Sequence, residues 1–379
     1  MKNIVYYLKK HGNKSFNELE FNEIDSLILS QLSYLYFEKI CKDLNGYYKL
    51  KDYLKVDYIY DLCKGAMNYK WNIRLVRAFQ DTKRYDELYF SDIDPRFDTS
   101  NNQQFYAMTF HLKDFIYISF RGTDLSFNGW REDFNMWFKE ETPCQRDSIE
   151  YVEKIYDKYK KNMIIGGHSK GGNLAFYSSM YCKDEVVDKI LKIYSFDGPG
   201  LKDKEPFLSY EYFRIKNRLV TFSSAASIVA VLLYHVDNVE FLKSSSVSIL
   251  QHSAYNWHIE NDKRLLRTKN NELLSRFLDR SLTRFLTVSK ARERQRFVDI
   301  LFYLAQDNPD ASIMEIRHHP LKYLRSVRTR KRLLSQHQYK FLKLELKKMS
   351  SCFKEVFFER MQNRKKKIAK KILLSKKQD

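Results

Sequence analysis

Two segments near the start of the chain carry hydrophobic residues with the three- and four-residue spacing of an amphipathic helix. In residues 16–42 the apolar positions follow Asn22 and Asp25, and either of these can cap the helix. The same spacing predicts a second helix over residues 70–81. The polar stretch at residues 94–102 then predicts a loop, because it combines Asp, Pro, Ser, Thr and Asn.

Strand-like patterns follow this loop. Gln104–Leu112 and Phe115–Phe120 are β-rich and are separated by a Lys-Asp pair, which predicts a β-hairpin. Four further strands are predicted later in the chain, at Met163–Ile165, Ile190–Phe196, Leu219–Phe222 and Val247–Leu250. Helical spacing returns between them, at residues 147–160 and 173–180. Because strands alternate with helices, we expect a mainly parallel sheet covered by helices on both faces.

The pattern changes in the last third of the chain. From about residue 270 the strand signal ends, and residues 272–305 and 340–374 have helical spacing. Charge changes at about the same point: residues 263–379 contain 32 Lys and Arg but 11 Asp and Glu, whereas residues 1–262 contain 35 and 36. We therefore predict an α/β body over residues 1–262, including the N-terminal helices, and a helical basic extension over residues 263–379.

The composition excludes several classes of protein. With 44% hydrophobic and 15% aromatic residues the chain can fill a core, and 11 Gly and 6 Pro argue against collagen-like or low-complexity sequence. The cysteines are odd in number and lack a C-x-x-C pair, so neither a disulfide framework nor a zinc site is expected. The five are Cys41, Cys63, Cys144, Cys182 and Cys352.

The same features predict a cytoplasmic location. The N-terminus has no sustained apolar region of the kind found in signal peptides. The segment most like a membrane span is Leu219–Val236, but serines interrupt it, and a strand leading into a buried helix explains it as well.

A candidate nucleophile lies in the sequence Gly167-His168-Ser169-Lys170-Gly171. This G-x-S-x-G pattern follows an apolar strand and precedes a helix. A serine on such a sharp turn is pushed clear of the sheet, and only small residues fit two positions to either side. The helix also directs its free N–H groups at the same point, where they favour a developing negative charge. The alternative is a glycine-rich turn without chemistry.

A serine hydroxyl needs a base, and histidine is the usual one. His252 follows the last predicted strand, which is where an α/β-hydrolase fold carries its base. His258 and His235 are the competing candidates.

The acid of a triad is predicted at Asp197. No carboxylate follows Leu219–Phe222 until Asp237, so the commonest position of the acid is empty. Asp197 follows the strand after the nucleophile, and it preserves the chain order Ser, Asp, His of this fold. The alternative is that Asp197 only organises the Asp-Gly-Pro-Gly turn.

Two residues are predicted to form the oxyanion hole. The backbone N–H of Lys170, next to the nucleophile, is one donor. Thr123, after the strand that ends at Phe120, is the other, through its backbone N–H with or without its hydroxyl.

These strings together resemble a known family. Phe120-Arg121-Gly122-Thr123 followed by Gly-His-Ser-x-Gly-Gly is similar to the class 3, fungal-type lipases. The fuller pattern resembles a bacterial family of lipase-like proteins, the Mbeg1-like family, over roughly residues 1–310. The strings that carry it are Phe120–Asp124, Gly129–Met136, Gly167–Ala175, Ser195–Gly200, Gln251-His252 with Trp257, and Phe21–Tyr36.

The resemblance implies an α/β-hydrolase fold and an esterase or lipase activity, without naming the substrate. Two positions depart from the class 3 lipases: Lys170 replaces their usual leucine, and Ser227 stands about where their acid is expected. The string Asp-Gly-Pro-Gly is instead similar to the acid site of pancreatic-type lipases, which favours Asp197 by analogy.

The end of the basic extension has a pattern of its own. Residues 364–377 carry eight Lys and Arg interleaved with Ile368 and Ile372, which share one face of a helix. A cationic amphipathic helix of this kind suits an anionic membrane surface, which would place the protein at the inner membrane surface. No recognised nucleic-acid module accompanies it, so we expect no nucleic-acid partner. A solvated tail is the alternative reading.

The sequence therefore predicts a serine hydrolase that forms an acyl-enzyme on Ser169 and acts on a small-molecule ester or lipid. Neither a metal nor an organic cofactor is expected, and no oligomeric state is predicted. A second hypothesis is a catalytically silent hydrolase-like scaffold that binds an anionic membrane surface or a partner through the basic region. The missing carboxylate after Leu219–Phe222 favours this second hypothesis.

Overall fold

The computed structural model describes residues 2–98, 100–101, 103–124, 126–225, 233–235, 238–261, 263–269, 273–305 and 319–375. At residues 128, 248–249, 273–276, 279 and 364–375 only the backbone is described.

An eight-stranded sheet, with its strands in chain order, forms the centre of the fold. Strands β1 to β4 are antiparallel, and β4 to β8 are parallel. The strands are β1 Tyr48–Lys49, β2 Tyr89–Asp98, β3 Gln103–His111, β4 Ile116–Phe120, β5 Met163–His168, β6 Ile190–Phe196, β7 Leu219–Ser224 and β8 Val239–Leu242, and a separate small hairpin contains β9 Ile259–Glu260 and β10 Arg264–Leu265.

Helices lie before, between and after these strands. They are α1 Ile4–His11, α2 Glu23–Leu32, α3 Leu50–Tyr53, α4 Ile59–Cys63, α5 Tyr69–Gln80, α6 Phe127–Asn135, α7 Pro143–Tyr159, α8 Lys170–Tyr181, α9 Asp184–Val187, α10 Tyr210–Phe213, α11 Leu273–Val288, α12 Ala291–Ala305, α13 Pro320–Leu333 and α14 Gln336–Ser375. Short 3₁₀ turns occupy Phe37–Lys39, Val56–Tyr58, Glu205–Leu208, Ser248–His252 and Ala254–Asn256.

Helices cover both faces of the sheet, as the sequence predicts. Successive side chains of a strand point to opposite faces. On β4, Tyr117 points to the face covered by α1, α2 and α5, where its hydroxyl hydrogen-bonds with Ser26 and Ser30 at 2.8 Å. Ile116 and Ile118 point to the opposite face, which α7 and α8 cover. This arrangement is an α/β-hydrolase fold, so the predicted fold class is confirmed.

Most predicted elements of the body are present. The hairpin is β3 and β4, the helix at 70–81 is α5, and the predicted strand Ile190–Phe196 is β6. Because β4 to β7 are parallel, the loops after their last residues meet at one edge of the sheet. Thr123, Ser169, Lys170 and Asp197 each lie within three residues of the end of one of these strands.

The long first helix predicted over residues 16–42 is wrong in its extent. Asn22 caps α2 in a capping box with Asp25, as the sequence predicts, but the helix ends at Leu32. The hydroxyl of Ser33 donates to the carbonyl of Ser30 at 2.8 Å, which satisfies the helix end. The chain then turns, and Tyr34 reaches the site described below.

Two further predictions are wrong for different reasons. The polar stretch predicted as a loop continues β2 to Asp98, because that part of β2 is an edge, where charged residues and Pro95 are tolerated. The predicted strand Val247–Leu250 is instead an extended residue leading into a 3₁₀ turn. Val247 is 74% exposed and Leu250 is 63% exposed, so these two residues do not mark a buried strand.

The C-terminal helices pack against α6 through an apolar cluster. Phe134 of α6 lies 5.7 Å from Phe302 of α12, ring centre to ring centre, and Arg131 pairs with Asp299 at 2.6 Å. The boundary at residue 262 stays a prediction. No helix among the described residues is long and apolar enough to cross a membrane.

Candidate active site

Ser169 lies on a strained turn between β5 and α8. Its backbone has φ 59° and ψ −132°, a conformation that L-residues rarely adopt. A Cβ atom added at Gly167 would lie 2.3 Å from the carbonyl of Gly171, and one added at Gly171 would lie 2.1 Å from the carbonyl of Phe120. The two glycines therefore allow the tight packing that presents Ser169 at the sheet edge.

Asp197 and His252 form the second part of the site. Nδ1 of His252 donates to Oδ2 of Asp197 at 2.7 Å, and the Asp197 carboxylate is fully buried. Because Nδ1 carries the proton in this bond, Nε2 is left with a lone pair. His252 is thus held in the tautomer that can accept a proton.

The end of β7 fixes the Asp197 carboxylate. The backbone N–H of Ser224 donates to Oδ1 of Asp197 at 3.1 Å, and the Ser224 hydroxyl donates to Oδ2 at 3.2 Å. Asp197 itself has a positive φ of 53°, and its own N–H donates to the carbonyl of Phe222 at 2.7 Å. Strand β7, which is not followed by a carboxylate at the expected position, therefore supplies the hydrogen-bond donors that orient Asp197 at the end of β6. Asp237 and Ser227 lie outside the described residues.

His168, next to Ser169, connects the end of β5 to His252. Its Nε2 donates to the carbonyl of His252 at 2.8 Å, and its Nδ1 accepts from the Tyr34 hydroxyl at 3.0 Å. Burial lowers the pKa of His168 to about 3, and the repulsion of a protonated His252 adds to this. His168 is therefore neutral, and it positions the backbone of His252.

Thr123 approaches Ser169 from the loop after β4. A Cβ atom added at Gly122 would lie 2.9 Å from Cβ of Ser169, which shows how closely the two segments pack. Within the described part of the chain, the backbone N–H of Thr123 has no hydrogen-bond acceptor. It therefore remains available to a ligand in the site.

The Thr123 hydroxyl points to Asp133 of α6 instead. It donates to Oδ2 of Asp133 at 2.6 Å, while Oδ1 of Asp133 is buried without a partner in the described part of the chain. Burial raises the pKa of Asp133 to about 6, although attraction to Lys170 and the Thr123 hydrogen bond oppose the rise. Asp133 thus fixes the side chain of Thr123 and leaves its backbone N–H as a candidate oxyanion donor.

Lys170 directs its side chain away from the site. Its Nζ donates to Oε2 of Glu132 and to the carbonyl of Gln104, both at 2.7 Å, and the Lys170 and Glu132 side chains are fully buried. Burial by itself would lower the pKa of Lys170, but attraction to Glu132 outweighs it and raises the pKa. Only the backbone N–H of Lys170 is therefore a candidate oxyanion donor.

A cavity of about 270 Å³ brings these residues together. Ser169, His252, Thr123 and Asp133 all line it. Much of the remaining wall is apolar and comprises Met67, Pro199, Leu233 and Leu250 with Trp130, Phe134 and Trp137 from α6 and the residues after it. Of the three candidate histidines, it is His252 that lines this cavity.

The Ser169 hydroxyl makes no hydrogen bond with the part of the chain that the structure describes. Catalytic hydrogen bonds are often long in empty sites and tighten when substrate binds. Ser169 and His252 therefore line the same cavity, although no hydrogen bond joins their side chains in the described part of the chain.

Sequence reasoning missed four residues of the site. They are His168, Tyr34, Asp133 and Glu132. His168 lies within the G-x-S-x-G motif. Glu132 and Asp133 lie within the segment Gly129–Met136, which is one of those that carry the family resemblance. Their roles depend on contacts between distant segments, which spacing alone does not give.

The fold and the site geometry define the class of this protein as an α/β-hydrolase. Residues 79–303 match the sequence profile of the Mbeg1-like family, which is more than half of the chain. The protein therefore belongs to the Mbeg1-like family.

Solved lipase structures are among those similar to this chain. A Rhizomucor miehei lipase propeptide complex is 17% identical, with a TM-score of 0.34, and the match covers 44% of this chain and 68% of the lipase chain. A mutant form of MDLA from Penicillium cyclopium is 12% identical, with a TM-score of 0.39, over 66% of this chain and 86% of the other. Among curated protein sequences none matches.

The lowered pKa of His168 predicts how the free energy of unfolding changes with pH. Its value is about 3 in the folded protein and 6.5 ordinarily, so between these pH values the unfolded state binds more protons. The free energy of unfolding should therefore fall as the pH drops below 6.5, by up to about 1.4 kcal/mol per pH unit from this residue. Urea unfolding of wild type and His168→Gln at pH 7 and pH 5 measures it.

The glutamine retains a donor and an acceptor but does not titrate. We expect wild type to lose about 2 kcal/mol more than His168→Gln between the two pH values. All other titrating groups are common to both proteins, so they cancel in this difference. Equal losses would contradict a neutral, buried His168.

Proposed function

We propose that this protein is a serine ester hydrolase with Ser169 as nucleophile, His252 as base and Asp197 as the acid that orients the base. The observation that carries the proposal is the 2.7 Å bond between His252 Nδ1 and Asp197 Oδ2, beside a serine on a positive-φ turn in the same cavity. A buried, doubly anchored carboxylate bound to a histidine is the arrangement that keeps an imidazole ready to take a proton.

In the first half-reaction, Oγ of Ser169 attacks the ester carbonyl carbon and its proton passes to Nε2 of His252. The carbonyl oxygen takes the negative charge and is stabilised by the N–H groups of Lys170 and Thr123. The bond to the alcohol oxygen then breaks, and His252 returns the proton to that oxygen. The acyl group stays on Ser169.

Water completes the cycle. His252 takes a proton from a water molecule, whose oxygen attacks the acyl carbon, and the second tetrahedral intermediate uses the same two N–H donors. The bond to Ser169 then breaks as the serine oxygen regains its proton. The acid product leaves, and no metal or organic cofactor takes part in any step.

The cavity wall favours an uncharged substrate. Trp130, Phe134 and Trp137 offer large apolar surfaces, and the buried Lys170 ammonium is neutralised by its ion pair with Glu132. An aliphatic or aromatic group of an ester would bury apolar area there, at roughly 25 cal/mol per Å². A small-molecule ester or lipid is therefore the proposed substrate class.

Labelling with a fluorophosphonate probe tests the proposal. We expect wild type to be labelled, with the adduct on the peptide that contains Ser169, and the Ser169→Ala variant to remain unlabelled. Ser350→Ala is the matched control, because Ser350 is exposed on α14 and should not affect labelling.

Folded wild type that resists the probe, also when lipid vesicles are present, would overturn the proposal. That result would favour the silent scaffold, for which the unbonded Ser169 hydroxyl is the supporting feature.

A further inference from the structure

Helix α13, outside the span that matches the family, has an unusual charge. Its 14 residues contain six Lys and Arg and no Asp or Glu. They are Lys322, Arg325, Arg328, Arg330, Lys331 and Arg332. Such a density of one sign repels other cations and attracts an anionic partner.

The exposed face of α13 combines these cations with leucines. Leu321, Arg325, Arg328 and Arg332 follow one another at intervals of three and four residues, so they lie along one stripe. All four are exposed, and Leu321 has 72% of its surface accessible. Leu324, 52% exposed, lies beside this stripe, and Leu333, 69% exposed, lies near the end of the helix. We call the set of Leu321, Leu324, Arg325, Arg328 and Arg332 the α13 face.

The other side of α13 is held by the protein. Tyr323 is partly buried against the apolar cluster that joins the C-terminal helices to α6. Nη1 of Arg330 donates to the carbonyls of Tyr303 and Leu304, each at 3.2 Å, at the end of α12. The contacts with α12 fix which side of the helix is covered, so the α13 face points away from the body.

We propose that the α13 face is a docking surface for an anionic lipid bilayer. Arginines attract lipid phosphates and carboxylates, while exposed leucines can enter the apolar boundary beneath the headgroups. Phosphate contacts to a nucleic acid need the arginines but give the leucines nothing to bury against. Charge and exposed apolar surface together therefore favour a lipid surface over a nucleic acid.

The position of α13 relates this surface to the cavity. Helix α13 packs on α12, α12 packs on α6, and α6 supplies Trp130 and Phe134 to the cavity wall. Docking through α13 would bring the cavity close to a lipid surface. The proposal itself concerns binding alone, and it is independent of whether Ser169 is catalytic. The side chains of residues 364–375 are not described and residues 376–377 lie outside the described chain, so the basic tail predicted from the sequence carries no part of this argument.

Vesicle flotation of the full chain tests the docking surface. Wild type should float with phosphatidylcholine vesicles that contain phosphatidylserine and stay unbound with phosphatidylcholine alone. The triple variant Arg325→Glu, Arg328→Glu, Arg332→Glu should bind at least about 100-fold more weakly, because each basic residue near such a surface contributes about fivefold.

A matched control makes the same change of charge elsewhere. Lys14, Lys161 and Lys189 are exposed and lie far along the chain from α13, so their triple change to glutamate should reduce binding far less. The double variant Leu321→Ser, Leu324→Ser keeps every charge. High salt screens the electrostatic part of vesicle binding, and this variant should weaken the part that remains. Equal losses in the two charge-reversed triples would overturn the proposal, since only net charge would then matter.

One further outcome is decisive. Wild type that binds single-stranded or duplex nucleic acid but not anionic vesicles would overturn the lipid assignment. Should the glutamate triple fail to fold, by circular dichroism, the glutamine triple at the same three positions is used instead. It removes charge without adding repulsion and should still lower binding at least about 100-fold.

Discussion

Replacing Ser169 by alanine is expected to lower kcat for ester hydrolysis by about a million-fold, and adding His252→Ala should lower it no further. When two residues act together in proton transfer, removal of either one abolishes nearly all of the rate enhancement that the pair provides. The residual rate would come from the oxyanion donors and from substrate binding alone. Steady-state kinetics on a chromogenic short-chain ester, with wild type and the two single variants and the double variant, measures this.

Asp197→Asn belongs to the same series and should lower kcat by about 10⁴-fold. The asparagine amide would present N–H groups to His252 and favour the wrong tautomer, although Ser224 could still bind its carbonyl oxygen. KM should change little, because Asp197 does not line the cavity.

For the Ser169 and His252 series, a double variant whose loss in kcat equals the product of the two single losses would show that the two residues act separately.

Lys170→Met should lower the free energy of unfolding by about 3–5 kcal/mol, because it leaves the Glu132 carboxylate buried without its cation. The carbonyl of Gln104 loses a donor at the same time. Urea unfolding at pH 7 gives the value. The exposed Lys161→Met serves as the control and should change stability by no more than about 0.5 kcal/mol.

The double variant Lys170→Met, Glu132→Gln should recover most of this loss. The glutamine removes the buried charge but keeps an oxygen that can accept from the backbone N–H of Gln104, as Oε2 of Glu132 does. The amide nitrogen then takes the place of Oε1, so the long 3.3 Å bond from the N–H of Cys144 is lost. A double variant as unstable as the single one would mean that the loss comes from packing and not from the uncompensated charge.

Much of the fold follows from local patterns in the sequence. The capping box at Asn22 and Asp25, the hairpin of β3 and β4, and the strand–turn–helix around Ser169 are each set by neighbouring residues. Spacing, caps and turn residues act over short distances, so they can be read without a structure. The predictions failed where burial decides the structure. The second half of β2 is polar because it is an edge, and Val247 and Leu250 are apolar although they are exposed.

The candidate site divides in the same way. The sequence by itself singled out Ser169, Asp197 and His252, because residue type and chain order limit the choices. Only the tertiary structure decided how they are held. Ser224 orients Asp197, His168 positions His252 and Asp133 fixes Thr123, across separations of 27, 84 and 10 residues. These bonds form between loops that a parallel sheet brings to one edge, and such proximity is a property of the packed chain.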